Sequence, residues 1–184
     1  MSKDLFYRCQ SERIYFKRID INDLDLISSI ITDQDTIKYT AWPYSKSKDE
    51  SLEYLNKLIK RDAKQDMIYA AVFTKEDNQS IGFVMMFNFD EDASHCEIGY
   101  IYNRNLWNKG YGSEAVKLLE DYSFRVLKLN KVYATIIGIN VGSAKILTKN
   151  GFSLEAELKD HFVVSGNYCN LQKFSKFNTN NRLK

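Results

Sequence analysis

Two stretches of the chain hold residue types at spacings that can do chemistry. The first is "NLWNKGYGSEAVKLLEDYSF", Asn105 to Phe124, which carries Gly110 and Gly112, two of only 8 glycines in 184 residues. Glycines entering a helix let the backbone approach an anion closely, and the free amides and helix dipole stabilise it. The amides of Lys109 to Ser113 are therefore expected to cradle a pyrophosphate, with the Lys109 side chain adding positive charge. The second is "HCEIGYIY", His95 to Tyr102, where Glu97 lies on an otherwise apolar strand, on the same face as His95. Glu97 is the candidate general base, taking a proton from an amine through water. His95 is the rival base, read as a solvated imidazole. Gly99, two residues after Glu97, marks a bulge or a close backbone approach.

Gly110 to Ala115 also spells G-x-G-x-x-A, a form of the dinucleotide fingerprint. That motif should directly follow the first strand, with an acid about 20 residues on. Here it lies past mid-chain, "NRNLWNK" separates it from the preceding strand, and the next strand ends without an acid. No G-K-[S/T] is present, so a phosphate-binding Walker loop is disfavoured as well.

The elements that must position these residues follow from periodicity. "RIYFKRI" (13–19) alternates as a first strand. Asn22 or Asp23 caps a helix carrying Leu24, Leu26, Ile27, Ile30 and Ile31, and the aromatic loop "YTAWPYSKS" leads to a second helix over about 47–61. "MIYAAVF", "SIGFVMMFNF" and "HCEIGYIY" form three consecutive strands joined by polar turns. After the glycines, Ala115, Leu118, Leu119, Tyr122 and Val126 recur at helical spacing. "KVYATIIGI" is a buried strand, and "VGSAKILTKN" is a short helix with Asn140 as N-cap and Gly151 as its stop. "FSLEAEL" and "HFVVSGNYCNLQKF" are the last strands. The order β-αα-βββ-α-β-α-ββ is mixed α/β, a sheet with helices on it. The expectation is one domain over 1–174 and a frayed polar tail over 175–184.

The balance of 26 basic and 24 acidic residues leaves a net charge of +2, which gives no electrostatic case for nucleic acid. Cys9, Cys96 and Cys169 are far apart and in no C-x-x-C spacing, which fits a reducing compartment without a thiol-bound metal. The charged start "MSKDLFYRCQSERI" lacks a signal-peptide core, and the most apolar run, 81–89, is too short to span a bilayer. A cytoplasmic protein with no metal and no membrane partner is expected.

"EIGYIYNRNLWNKGYGSEA" resembles the acetyl-CoA signature of the GCN5-related N-acetyltransferases (GNAT), in the spelling of the RimJ/RimL and spermidine acetyltransferase branches. There the loop reads Q/R-x-x-G-x-G/A, commonly with Trp first, matched by Trp107. "NVGSAKILTKNGFSLEAEL" is similar to the family's N-x-x-S/A-x-x-L/Y-x-x-x-G-F-x-x-E block. "HFVVSGNYCNLQKF" is similar to the branch's H-x-x-x-x-G-x-[WY]-x-D ending, with Asn170 in place of the acid. The element order matches along almost the whole chain.

The resemblance implies the GNAT fold, a mostly antiparallel sheet with helices on both faces, and an enzyme using acetyl-CoA as co-substrate. It places the cofactor on Tyr100, Ile101 and Tyr102, whose strand splays from its neighbour to expose amides. It also places it on the loop Trp107, Asn108, Lys109, Gly110, Tyr111, Gly112 and Ser113, and on Asn140 and Lys145. A strand amide can also steady a developing oxyanion, a contact worth roughly 3 kcal/mol. The resemblance supports Glu97 as base. The tyrosine many relatives use as acid is replaced by Leu147, which leaves Ser143 as the group that bonds the departing thiolate. Tyr39, Trp42, Tyr44 and Tyr168 are the expected acceptor walls. The acceptor is a primary amine, a protein N-terminus being favoured because an α-amine near pKa 8 asks less of the base than one near 10.4. The alternatives are a polyamine or aminoglycoside-type antibiotic as acceptor, or a CoA-binding sensor without turnover. Homodimers are common in the branch.

Overall fold

Seven strands form one sheet in the order β1-β2-β3-β4-β5-β7-β6. They are β1 (Ile14–Arg18), β2 (Ile68–Thr74), β3 (Ser80–Asp90), β4 (His95–Tyr102), β5 (Lys131–Ile137), β6 (Ser153–Val164) and β7 (Asn167–Phe177). The helices are α1 (Lys3–Phe6), α2 (Leu24–Ile31), α3 (Gln34–Ile37), α4 (Lys48–Ala63), α5 (Tyr111–Asp121) and α6 (Val141–Lys149). This computed structural model describes residues 3–40, 42–64 and 67–179. Every ladder is antiparallel except β4–β5. Among the described residues no helix is long and apolar enough to cross a membrane, and no cluster of three or more potential ligands could hold a metal.

Residues paired across a ladder share a face, so the register sorts the side chains. Phe83/Ile101, Met85/Gly99 and Phe87/Glu97 lie on one face, and Gly82/Tyr102, Val84/Tyr100 and Met86/Ile98 on the other. The first face packs against α2 and α4, where Ile27, Ile30, Leu55 and Leu58 meet Phe83, Met85 and Ile101. The second lies under α5 and α6, where Val116, Leu119 and Leu147 meet Val84, Ile98 and Val132. Each such side chain contributes about 1.5–3 kcal/mol by burial. Helices on both faces therefore hold β4 in the middle of the molecule.

Local chemistry explains the ends. Ser47 caps α4 by accepting from the Glu50 amide at 3.1 Å, while Glu50 accepts from the Lys46 amide at 2.7 Å. Asp62, in the last turn, is 1% exposed and accepts from the Tyr7 hydroxyl at 2.7 Å and the Tyr69 amide at 3.1 Å. It ties the short α1, which the pattern did not anticipate, to α4 and β2. The four-residue α3 and a π-turn over Tyr122–Val126 that continues α5 were likewise outside the expectation.

Two boundaries are corrected. The last hairpin does not break between Leu158 and His161, because β6 runs unbroken and turns at Ser165–Gly166. Both turn residues have positive φ, 49° and 81°, which matches the twist of the flanking strands. The polar triplet Lys159–His161 is absorbed as a bulge, with the Asp160 amide donating to Asn170 Oδ1 at 3.2 Å. The tail is not free from Ser175. That residue and Asn178 are buried, β7 pairs with β5 as far as Phe177, and the Asn178 amide donates to the Asn130 carbonyl at 2.8 Å. Residues 180–184 of the expected tail lie outside the described residues.

Candidate active site

β4 and β5 pair at His95/Lys131, Cys96/Val132 and Glu97/Tyr133, and then the ladder stops. Beyond it β4 stays bonded to β3 and β5 to β7, so a gap opens between their C-terminal halves. The Asn103 amide donates to the Ile81 carbonyl at 3.0 Å, which sets the alternation back along β4. Phe83/Ile101 and Met85/Gly99 are then the hydrogen-bonded pairs, and the backbone groups of Ile98, Tyr100 and Tyr102 turn toward the gap. Of the three expected amides, those of Tyr100 and Tyr102 open there. The expectation for Ile101 is corrected: its backbone faces β3, its carbonyl crowding the space beside Gly82, and its side chain is in the α2/α4 core.

The glycine loop lies at the far end of this gap. Gly110 has φ 86° and ψ −4°, a left-handed conformation that suits glycine. Arg13 fixes the loop from β1's approach: its Nη1 donates to the Lys109 carbonyl at 3.1 Å, and its Nη2 lies 2.7 Å from Glu114 Oε2. The Ser11 hydroxyl and the Arg13 amide donate to the other Glu114 oxygen. Partial burial alone would push Glu114 up, but these hydrogen bonds outweigh it and hold its carboxyl below the ordinary range. Trp107 Nε1 donates to the Tyr102 carbonyl at 2.9 Å, which pins the loop to the edge of the gap. Trp107, Asn108 and Lys109 are exposed, and the Tyr111 ring lies under the Arg13 guanidinium.

Three features fit an extended anionic ligand here. The first amides of α5 have no intrahelical partner. A Cβ on Gly112 would come 2.8 Å from Ile146 Cδ1 and push that side chain aside, so glycine lets α5 and α6 approach closely at the head of the cradle. The Tyr102 hydroxyl beside it is buried without a hydrogen-bond partner among the described residues. Ser113 is held by Asn150, whose Nδ2 donates to its hydroxyl at 3.0 Å.

Across the gap, Asn140 caps α6 by accepting from the Ser143 amide at 3.1 Å. The Ser143 hydroxyl lies 2.6 Å from the Tyr100 hydroxyl, which also donates to the Ser143 carbonyl at 3.3 Å. Burial pushes the Tyr100 phenol up, the Ser143 contact working against it. Leu147 is fully buried under the sheet. The tyrosine hydroxyl beside Ser143 therefore comes from β4 and not from α6. Lys145 is exposed on α6.

Glu97 stands half-buried at the last paired rung, on the α2/α4 face, and accepts from Asn88 Nδ2 at 2.9 Å. Burial, and then the Glu97 charge, push the neighbouring Tyr133 phenol up. Lys173 Nζ sits 3.8 Å from the Tyr133 ring centroid. His95 is not solvated as expected: it lies edge-on to Tyr133, with Nε2 3.8 Å from Asp90 Oδ2 and Nδ1 buried without a partner among the described residues. Glu97 thus lies on the α2/α4 face of β4, while Ser143 packs from α6 against Tyr100 on the other face of the same strand.

Of the four expected wall residues, Tyr39, Trp42 and Tyr44 lie on the segment between α3 and α4, and Tyr168 lies at the start of β7. Trp42 packs on Tyr54 and Phe83 as part of the core, and Tyr39 carries the Lys38 ammonium. Tyr44 is exposed, and Tyr168 is 73% exposed on the last hairpin. Residue patterns did not mark Asn88, Tyr133, Lys173 or Arg13, whose roles come from pairing between distant segments.

The model of the acetyltransferase (GNAT) domain matches residues 13–153. The chain belongs to the GNAT acetyltransferase family. It is similar to the uncharacterized N-acetyltransferase p20 of Bacillus licheniformis, 28% identical over 168 residues, 90% of this chain and 93% of that one. The spermidine N-acetyltransferase of Vibrio cholerae in complex with CoA and spermine superposes with a TM-score of 0.80 at 20% identity, covering 91% of this chain and 96% of that one. RimL, a ribosomal L7/L12 α-N-protein acetyltransferase in complex with CoA, gives a TM-score of 0.80 at 16% identity, covering 91% and 95%. The GNAT fold expected from the sequence is the fold found, and the chain is an N-acetyltransferase.

Proposed function

We propose that this GNAT enzyme acetylates the α-amine of a protein or peptide by direct transfer in a ternary complex. The observation that carries it is the gap beyond Glu97/Tyr133, with a carboxylate at the last paired rung and a serine hydroxyl paired with Tyr100 further along the same strand. Bound there, acetyl-CoA supplies an activated thioester. The amides at the start of α5 and the Tyr102 hydroxyl hold its pyrophosphate end, and the Tyr100 and Tyr102 backbone groups hold the arm. Asn140, Lys145 and the exposed Trp107, Asn108 and Lys109 border the same path. Glu97 takes one proton of the incoming ammonium, and the amine nitrogen bonds to the thioester carbonyl carbon as the C–S bond breaks. The proton that nitrogen then sheds goes to the departing sulfur, which accepts a hydrogen bond from the Ser143 hydroxyl.

Lys173 beside the Glu97–Tyr133 rung supports the α-amine. A fixed cation there raises the cost of a second positive charge on the acceptor, and an α-amine near pKa 8 is more easily deprotonated than one near 10.4. The acidic turn Asp90, Glu91 and Asp92, at the end of the same hairpin, favours a polyamine as the second reading. Thiol release from acetyl-CoA on serine-, alanine- and methionine-starting peptides, spermidine and an aminoglycoside separates the two. Turnover confined to peptides supports the proposal, and turnover confined to spermidine replaces it with the second reading.

A further inference from the structure

The β3–β4 ladder is regular as far as Phe87/Glu97 and resumes at Asp90/His95. Asn88 and Phe89 together face the single residue Cys96, which makes this a bulge. In a regular strand Asn88 would point to the face opposite Phe87, and so away from Glu97. Instead it adopts φ 50°, a left-handed conformation that Asn, Asp and Gly tolerate best. The bulge thereby brings Nδ2 to 2.9 Å from Glu97 Oε2.

We infer that Asn88 is the positioning residue of the catalytic carboxylate, its left-handed bulge existing to hold Glu97 at the mouth of the gap. The inference rests on Glu97 being the base. The other charged or titratable groups around the Glu97–Tyr133 rung are Asp90 from β3, His95 and the buried Cys96 from β4, Lys131 and Tyr133 from β5, and Lys173 from β7. None of them comes from the bulge; Asp90, where the ladder resumes, is engaged with His95. Asn88 and the Tyr133 phenol are the two neutral groups that hydrogen-bond Glu97, and of these only Asn88 is carried by the bulge.

Asn88→Asp and Asn88→Gly both keep the backbone conformation, so they separate the side chain's role from the bulge's. Asn88→Asp sets a like charge beside Glu97 and should move the acid limb of kcat/KM up by about one pH unit. Carbon-13 NMR titration of the Glu97 carboxyl should show the same upward movement without any acceptor present. Asn88→Gly should melt close to wild type yet lose about tenfold in kcat, the worth of one hydrogen bond, with little change in acceptor KM. The acceptor is a serine-starting peptide or spermidine, whichever the wild-type enzyme turns over. An unmoved Glu97 titration in Asn88→Asp, or wild-type kcat in Asn88→Gly, overturns the inference. Glu97→Gln with undiminished kcat sinks the base assignment instead, and the titration then still reports whether Asn88 governs the carboxylate.

Discussion

Replacing Gly110 by valine strikes the cofactor loop at its most constrained point. At φ 86° and ψ −4° an L side chain is strained by about 1–2 kcal/mol. Its Cβ would also lie 3.2 Å from Arg13 Nη2, one end of the guanidinium that holds the Lys109 carbonyl. The loop then either keeps its shape and loses that much stability, or relaxes and turns the α5 amides away from the ligand. In the second case 1–2 kcal/mol of binding is lost, so Kd for CoA rises by about 5- to 30-fold. Calorimetric titration with CoA near neutral pH reads the binding, and urea melts of the same samples read the stability. Gly110→Asn, which tolerates the left-handed region, should stay within a few-fold of wild type. A folded Gly110→Val with wild-type affinity and wild-type stability would refute the reasoning, because the strain would have gone nowhere.

Glu114→Gln removes the charged end of the Arg13 clamp and should cost about 1 kcal/mol of stability near neutral pH, the pair being half exposed on the arginine side. The Glu114 carboxyl is held below its ordinary value of 4.5, so its stabilisation is complete above that pH and is lost as the pH falls through the lower folded value. The stability difference between Glu114→Gln and wild type should therefore shrink below about pH 4.5 in denaturant melts, and a constant difference would contradict the shift. Ser143→Ala should lower kcat about 10- to 100-fold, the worth of one hydrogen bond to the charged thiolate. Tyr100→Phe should lower it about tenfold by releasing the Ser143 hydroxyl, while CoA affinity changes little in either variant.

The parts of this site that were legible in the sequence carry their signal in residue type. Glycine occupies φ 86° without the strain most side chains meet and lets α5 sit close on Ile146, so Gly110 and Gly112 announced the loop. A carboxylate inside "HCEIGYIY" is conspicuous, and Asn140 before "VGSAKILTKN" is an ordinary cap. What pairing decides was not legible. Whether Ile101 or Tyr102 turns its amide to the gap depends on one register with β3, and moving the pattern by one residue exchanges them. Tyr133 reads as a core aromatic until β4–β5 pairing sets it beside Glu97. Arg13 lies about a hundred residues from Glu114, and Asn88 is exposed as it reads but gains Glu97 as a partner only through the bulge. The last hairpin misled for a related reason, since Lys-Asp-His has turn composition but is held in the strand by Asn170.

The central claim is that Glu97 serves as the base in acetyl transfer to a peptide α-amine at the β4–β5 gap. Its most direct test is steady-state thiol release from acetyl-CoA with a serine-starting peptide, wild type against Glu97→Gln, with CoA affinity measured on both proteins. The account predicts turnover by wild type, a fall in kcat on the order of 10²-fold in Glu97→Gln, and equal CoA affinity. Equal turnover by the two proteins would contradict it.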